Sequence, residues 1–297
     1  MRGAPTEDCA PPYSRAMKTR FNSAAVSVVA LFVLAPIAAY AATSPTLGMA
    51  STFGILASTY TNTAVGTTIN GDLLGYTTPP AVEPTVNGTT HAADGTYNQA
   101  GIDQGTGLVA LNNQPCTFTF APGAIDLASD TTHGPVGVYN PGVYCVTGAT
   151  SVGGGGTITL TGSGTYIFRM TGALNTSANS VVAANGASAC NVWWTPGAAT
   201  TLGANSTFIG TDIDASGITV GNVDTWTGRA LAFGGTVSTS RDTISAPTCS
   251  ASPSPTTPPV PTTGAGSPGT GVTWWSLSAL VLGFLVILRA RRRNTSD

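Results

Sequence analysis

The chain has 297 residues, of which only 8% are Asp, Glu, Lys or Arg and 42% are hydrophobic. An ordinary soluble domain carries about 25% charged residues, so a helical bundle, a coiled coil and a charged disordered tail are all disfavoured, while 37 Gly and 20 Pro suit an all-β chain with many tight turns. Lys and Arg number 11, and between Arg20 and Arg289 only Arg169, Arg229 and Arg241 occur, which excludes the clustered basic surface that nucleic acid requires.

Residues 1–41 read as a secretory signal peptide. Lys18 and Arg20 precede an apolar run from Ala24 to Ala39, and Ala39-Tyr40-Ala41 supplies a small-x-small cleavage site. Met17 fits the true start better than Met1. Residues 42–249 then form the folded part. Helical periodicity is weak there and confined to Ala92–Leu111, where Gly95, Gly101, Gly105 and Gly107 count against a helix. Cys9 falls in the leader, leaving Cys116, Cys145, Cys190 and Cys249. In an oxidising compartment these read as two disulfides with three possible pairings. Sequence neighbours, Cys116–Cys145 and Cys190–Cys249, would staple consecutive parts of one architecture. No Cys-x-x-Cys pair and only two His residues argue against a metal, and no cofactor is expected.

Short alternations such as Thr157-Ile158-Thr159-Leu160-Thr161, broken by Gly, are the pattern of half-exposed strands. The later part repeats with a step of eighteen. Thr207, Thr225 and Thr243 are each followed by a bulky residue (Phe208, Trp226, Ile244). Gly210 and Gly228, Ile213 and Leu231, and Gly217 and Gly235 keep the step, and Leu202 and Val220 form an apolar column that Ser238 breaks. Recurring Gly corners with stacked apolar positions favour a β-solenoid over a β-sandwich.

From 250 to 271 the chain is a Pro/Thr/Ser/Gly linker. Residues 272–288 are apolar and uncharged, long enough for a transmembrane helix, with Trp274 and Trp275 at one edge. Residues 289–297 are a basic tail, placed in the cytoplasm by the positive-inside rule, so the folded part lies outside. Val260-Pro261-Thr262-Thr263-Gly264 ahead of the apolar run is similar to a sortase sorting signal, usually Leu-Pro-x-Thr-Gly, with Val260 in place of Leu. Sortase cleavage after Thr263 would attach the chain to cell-wall peptidoglycan; otherwise the helix stays as a membrane anchor. Both readings give an exported protein displayed at the cell surface.

Several stretches carry a family resemblance. They are Leu47-Gly48 to Thr59, Ile69-Asn70-Gly71-Asp72, Val86-Asn87-Gly88 to Asp94, Pro141-Gly142-Val143-Tyr144-Cys145, Gly164-Thr165-Tyr166-Ile167-Phe168, and Gly228-Arg229-Ala230-Leu231-Ala232. The most specific is Asn185-Gly186-Ala187-Ser188-Ala189-Cys190-Asn191-Val192-Trp193-Trp194. In this order, over about 46–249, the chain resembles the microbial ice-binding (antifreeze) proteins. The resemblance implies a right-handed, discontinuous β-solenoid of triangular cross-section with one α-helix packed alongside. It also implies a flat face that contacts ice, in some members through a Thr-Ala/Gly-x-Thr/Asn motif on successive coils.

The segments that match are Ala204-Asn205-Ser206-Thr207, Asn222-Val223-Asp224-Thr225 and Ser240-Arg241-Asp242-Thr243, with Thr176-Ser177-Ala178-Asn179 a looser match. Only the final Thr is kept in the first three. Asp224, Arg241 and Asp242 are charged and would disturb an ice-like water layer, so moderate or weak activity is expected. Thr207, Thr225, Ser206 and Thr219 are the leading ice-contact residues, followed by Thr243, Thr236 and Thr201. Thr suits this role because its restricted side chain presents both a methyl and a hydroxyl.

An enzyme is not expected. His91 suits a turn or cap, Gly153 to Gly156 suit a corner, and Asp212 and Asp214 lack the further acids that a calcium site or a glycosidase would need. The alternative function is a cell-surface adhesin or structural wall protein using the same scaffold, with Trp193, Trp194 and Trp226 lining a glycan groove.

Overall fold

The computed structural model describes residues 41–71 and 73–249. The first compact unit ends at Pro247, and Thr248 and Cys249 are the described residues of a second. Residues 1–40 of the segment read as a signal peptide (1–41), the stretch read as a linker with Val260 to Gly264, the apolar run 272–288 and the basic tail lie outside the described residues. Among those described, no helix is long and apolar enough to cross a membrane.

Parallel strands curl into three stacks accompanied by one helix, the arrangement of a β-solenoid. The first stack contains Val138–Tyr139, Thr157–Thr161, Val181–Asn185, the start of Thr207–Ile213, the start of Thr225–Ser240, Thr243–Ser245, Thr68–Asn70 and Thr85–Asn87. We call its outer surface the Thr207 face. The second stack contains Ile125–Asp126, Thr150–Val152, Ala173–Thr176, Ala198–Thr201, Ile218–Asn222, 236–240 and 59–62; its surface is the Thr219 face. The third contains Gly142–Val146, Tyr166–Met170, Val192–Thr195, 211–213, 229–232, 53–57 and Leu73–Tyr76. The winding is discontinuous, because Thr68–Asn70, early in the chain, pairs with Thr243–Ser245 near its end.

Alternation drives each strand. In Ile218–Asn222, Ile218 and Val220 are buried and Thr219 is exposed, so one sequence pattern gives one dry and one wet side. Inside the coils the aromatics stack from coil to coil. Tyr144 lies 5.2 Å from Phe168, Phe168 4.3 Å from Trp194, Trp194 5.1 Å from Phe208, and Phe208 5.1 Å from Trp226. Burial of such a side chain contributes roughly 1.5–3 kcal/mol, and the ladder holds the coils at a fixed rise.

The eighteen-residue step is visible in the backbone pairing. Thr207 pairs with Thr225, Phe208 with Trp226, Gly210 with Gly228, and Ile213 with Leu231. Gly210 turns the corner at φ 104°, and a Cβ on Gly228 would stand 1.8 Å from the Gly210 carbonyl oxygen, so only Gly lets these coils approach. On the second stack the step lengthens by one. Ile218 pairs with Val237 and Thr219 with Ser238. Gly217 therefore neighbours Thr236 rather than Gly235, and Ser238 faces outward while Val237 continues the apolar column.

The helix α1, Gly95–Asn112, covers the third stack. Asp94 caps its first turn by accepting a hydrogen bond from the Tyr97 N–H at 2.9 Å. Two of its four glycines face the solenoid: a Cβ on Gly101 would meet the Phe233 ring at 2.4 Å, and one on Gly107 would meet Leu47 at 2.7 Å, while Gly95 and Gly105 are exposed. Close packing outweighs the low helix propensity of Gly that the sequence alone suggests. At the other end the Arg169 guanidinium donates to the carbonyls of Asn112 and Gln114, a cation at the negative helix terminus. Arg169 also reaches both sulfurs of the Cys116–Cys145 disulfide. Cys190 and Cys249 are each disulfide-bonded as well.

Candidate functional site: two hydroxyl faces and a ridge

With α1 on the third stack, the other two stacks turn their outer surfaces to solvent. The Thr219 face has a central column in which Ser151, Asn175, Thr201, Thr219, Ser238 and Thr61 are adjacent in backbone register. Asn175, Thr201 and Thr219 are exposed, and Ser151, Ser238 and Thr61 are half-buried. Thr61 Oγ1 donates to Ser238 Oγ at 2.7 Å. A second column begins with Thr236, Thr59 and Thr78. On the other side Asn222 pairs with Ser240, whose hydroxyl donates to it at 3.3 Å. At the end of the central column Asp126 follows Ser151; its carboxylate accepts from the Ala128 and Gly153 N–H groups and from Ser129 Oγ.

The Thr207 face is narrower. Its first outward column runs Thr157, Val181, Thr207, Thr225 and Thr243, then Thr68 and Thr85. The second position of the same strands is mixed: Val138, Thr159, Ala183 and Thr227, then Ser245, Asn70 and Asn87, while Ile209 at this position is buried in the core. No side chain in either column is ionisable.

Where the two faces meet, the chain turns through Asn179, Asn205, Val223 and Arg241, all with φ between 58° and 67°. Behind this ridge Ser206, Asp224 and Asp242 are 2%, 1% and 0% exposed. Asp224 accepts from the Ser206 N–H (2.7 Å) and the Gly221 N–H (2.9 Å). Asp242 accepts from the Asp224 N–H (2.9 Å) and the Ser240 N–H (2.6 Å). The carboxylates thus hold the backbone of one coil to the next. Burial pushes both acids up to about 6 against the pull of these donors.

Three sequence expectations change here. The segments matched to the Thr-Ala/Gly-x-Thr/Asn motif do not lie along one strand but wrap the ridge: the second residue turns, the third points inward, and the final Thr opens the Thr207 face. Ser206 is therefore no surface contact, and its hydroxyl donates to the Gly203 carbonyl at 2.5 Å. Asp224 and Asp242 do not face surface water, which leaves Arg241 as the exposed charge of the three. In the looser match Thr176 is buried and Asn179 is again a ridge residue.

The remaining candidates divide between the faces. Thr207, Thr225 and Thr243 share one column, while Thr201, Thr219 and Thr236 lie on the Thr219 face. Sequence reasoning missed Thr59, Thr61 and Ser238 on one face and Thr68, Thr85 and Thr157 on the other. No fixed step could have found them, because Thr61 meets Ser238 across 177 residues.

The other chemistry weighed is sealed or occupied. Trp193, Trp194 and Trp226 are 3%, 0% and 0% exposed and line no groove for a sugar. Asp212 and Asp214 are 0% and 1% exposed, and burial followed by Asp214's charge raises Asp212 well above the carboxylate range. His91 Nδ1 lies 2.6 Å from Asp94 Oδ2 at the start of α1, and Gly154 and Gly155 form a left-handed corner. Among the described residues, no three His, Cys, Asp or Glu side chains are grouped to hold a metal.

Comparison with known proteins adds the ancestry of this scaffold. The description of the ice-binding-like family matches residues 55–245. An ice-binding protein of Nostoc sp. (strain HG1) is 31% identical over 224 residues, covering 70% of this chain and 76% of that protein. The crystal structure of an ice-binding protein from the Antarctic ascomycete Antarctomyces psychrotrophicus is 29% identical. It superposes with a TM-score of 0.61 over 70% of this chain and 100% of its own. An ice-binding protein from an Antarctic biological consortium is 25% identical with a TM-score of 0.59, over 70% of this chain and 93% of its own.

Proposed function

The chain belongs to the ice-binding-like family, and on that premise we propose that it adsorbs to ice through the Thr219 face. Adsorption there would slow growth or recrystallisation of the crystals it coats. The observation that carries this reading is the central column from Ser151 to Thr61, six coils of hydroxyl and amide side chains in paired register.

Ice presents a neutral, repeating array of oxygens and no unique handle. A binder needs repetition and rigidity in place of a pocket. Paired coils repeat about every 4.8 Å, and same-face residues along a strand lie about 6.7 Å apart. Thr methyls discourage liquid-like hydration while the hydroxyls hold ordered water. Each contact is weak, but the backbone is already ordered, so little entropy is lost on adsorption. We place the principal contact here because columns stand on both sides of the central one.

The same reading puts the protein outside the cell. The leader, the Val260 to Gly264 segment, the apolar run and the basic tail support export and attachment to membrane or peptidoglycan. A chain so held would fix the cell to ice or shield its envelope. A right-handed, three-sided solenoid is the form we assign to the fold. The burial of Trp193, Trp194 and Trp226 counts against the glycan-adhesin alternative.

The test is thermal hysteresis and ice-recrystallisation inhibition by the purified full chain, beside Thr201→Tyr/Thr219→Tyr. Loss of activity in the variant, with an unchanged circular dichroism spectrum, is expected. An inactive wild-type chain would end the ice reading.

A further inference from the structure

We propose that the Thr207 face is a second, independent ice-contact surface, so that one molecule carries two adhesive faces sharing the ridge. This rests on the ice-binding reading above. The argument comes from a comparison inside the same strands. Seven of the paired strands reach the first outward position, six of them carry Thr there, and the exception is Val181, which keeps the β-branched shape. Two residues further along, in the same stack, the position holds Thr, Val, Ala, Ser or Asn, and in one coil the chain turns Ile209 into the core instead. Strand formation and solubility act on both columns alike and accept varied residues in the second. They give no reason for near-constant Thr in the first.

The core behind the column does not require Thr either. The residues that follow these threonines inward range from Val86 and Ile69 to Phe208 and Trp226. Among the described residues, none of the six Thr hydroxyls bonds to another side chain or to the backbone, so all are available to water. The pairings along this column, unlike those of the Thr219 face, carry no register shift. Six steps of about 4.8 Å give a straight row about 29 Å long. The absence of charge suits a neutral lattice, and the ridge makes the row continuous with the first face.

The two surfaces turn around the ridge, so a flat crystal plane can meet only one of them at a time. The second face therefore extends the set of ice planes the molecule can cover, beyond the grip on one plane.

The experiment is adsorption of the dye-labelled full chain to a hemispherical single crystal of ice, where stained zones report the planes bound. Four proteins are compared: wild type, Thr201→Tyr/Thr219→Tyr, Thr207→Tyr/Thr225→Tyr, and both pairs together. The expected result is that each pair removes a different part of the stain and the combination removes it all. The variant Thr207→Val/Thr225→Val keeps the strand shape and deletes only hydroxyls; it is expected to weaken the same zones that the Tyr pair removes. A Thr207→Tyr/Thr225→Tyr pattern identical to wild type, with a clear crystal for Thr201→Tyr/Thr219→Tyr, overturns the second face and leaves the first. An unstained crystal with wild type overturns both.

Discussion

Asp224→Ala tests whether the ridge acids are structural. In the native coil Asp224 is 1% exposed and accepts two backbone N–H groups, from Ser206 at 2.7 Å and Gly221 at 2.9 Å. Alanine leaves both donors without an acceptor in a buried corner. Each stranded donor costs about 1–3 kcal/mol, so the variant is expected to lose about 2–6 kcal/mol. For a domain of this size that corresponds to a fall in Tm of about 5–20 °C. Asp224→Asn retains one acceptor oxygen and should lose about half as much. The assay is thermal unfolding followed by circular dichroism, with thermal hysteresis measured on the same samples well below the transition. If Asp224 instead stood in surface water, Ala would change stability by no more than about 0.5 kcal/mol and would raise ice activity by removing a hydrated charge. That outcome would refute the placement of the acid behind the ridge.

Two further outcomes follow from the same geometry. Asp224 and Asp242 are raised by burial from 3.8 to about 6, so the folded chain keeps protons that the unfolded chain releases. Their contribution to stability is full below about pH 3.8 and is lost as pH rises through about 6, by up to about 3 kcal/mol for each group. Urea midpoints at pH 4.5 and 7.5 should therefore fall with pH, and more steeply than in Asp224→Asn/Asp242→Asn; equal slopes would contradict the assignment. Gly228→Ala places a Cβ 1.8 Å from the Gly210 carbonyl oxygen, an overpacking the paired backbones cannot relieve, and should cost about 3 kcal/mol or more. A variant with wild-type melting would show that this corner is loose.

The chain's own pattern determined the class of fold. Low charge, abundant Gly and short alternations demanded strands and corners, and Thr207, Thr225 and Thr243 do lie side by side as their eighteen-residue step requires. Periodicity works where consecutive coils have the same length. It fails at Gly234 and Gly235, where one additional residue turns Ser238 outward and moves Val237 into the column. It fails again between Thr157 and Thr207, where coils are longer than eighteen. Propensity misjudged α1, since Gly101 and Gly107 are chosen for their fit against Phe233 and Leu47 and not for helix formation.

Which residues share a surface was decided by tertiary structure alone. Thr61 and Thr68 belong to coils laid down early in the chain, yet they lie beside Ser238 and Thr243 because the first coils close on the last. Burial was equally invisible in the sequence: Asp224 and Asp242 look like surface charges there, while in the fold they bind backbone N–H groups inside the ridge. A sequence records which residues can form a strand and turn a corner. Whether a hydroxyl meets water or a neighbouring coil depends on the packing of distant segments, and that packing separates the two hydroxyl faces and sets them on either side of one ridge.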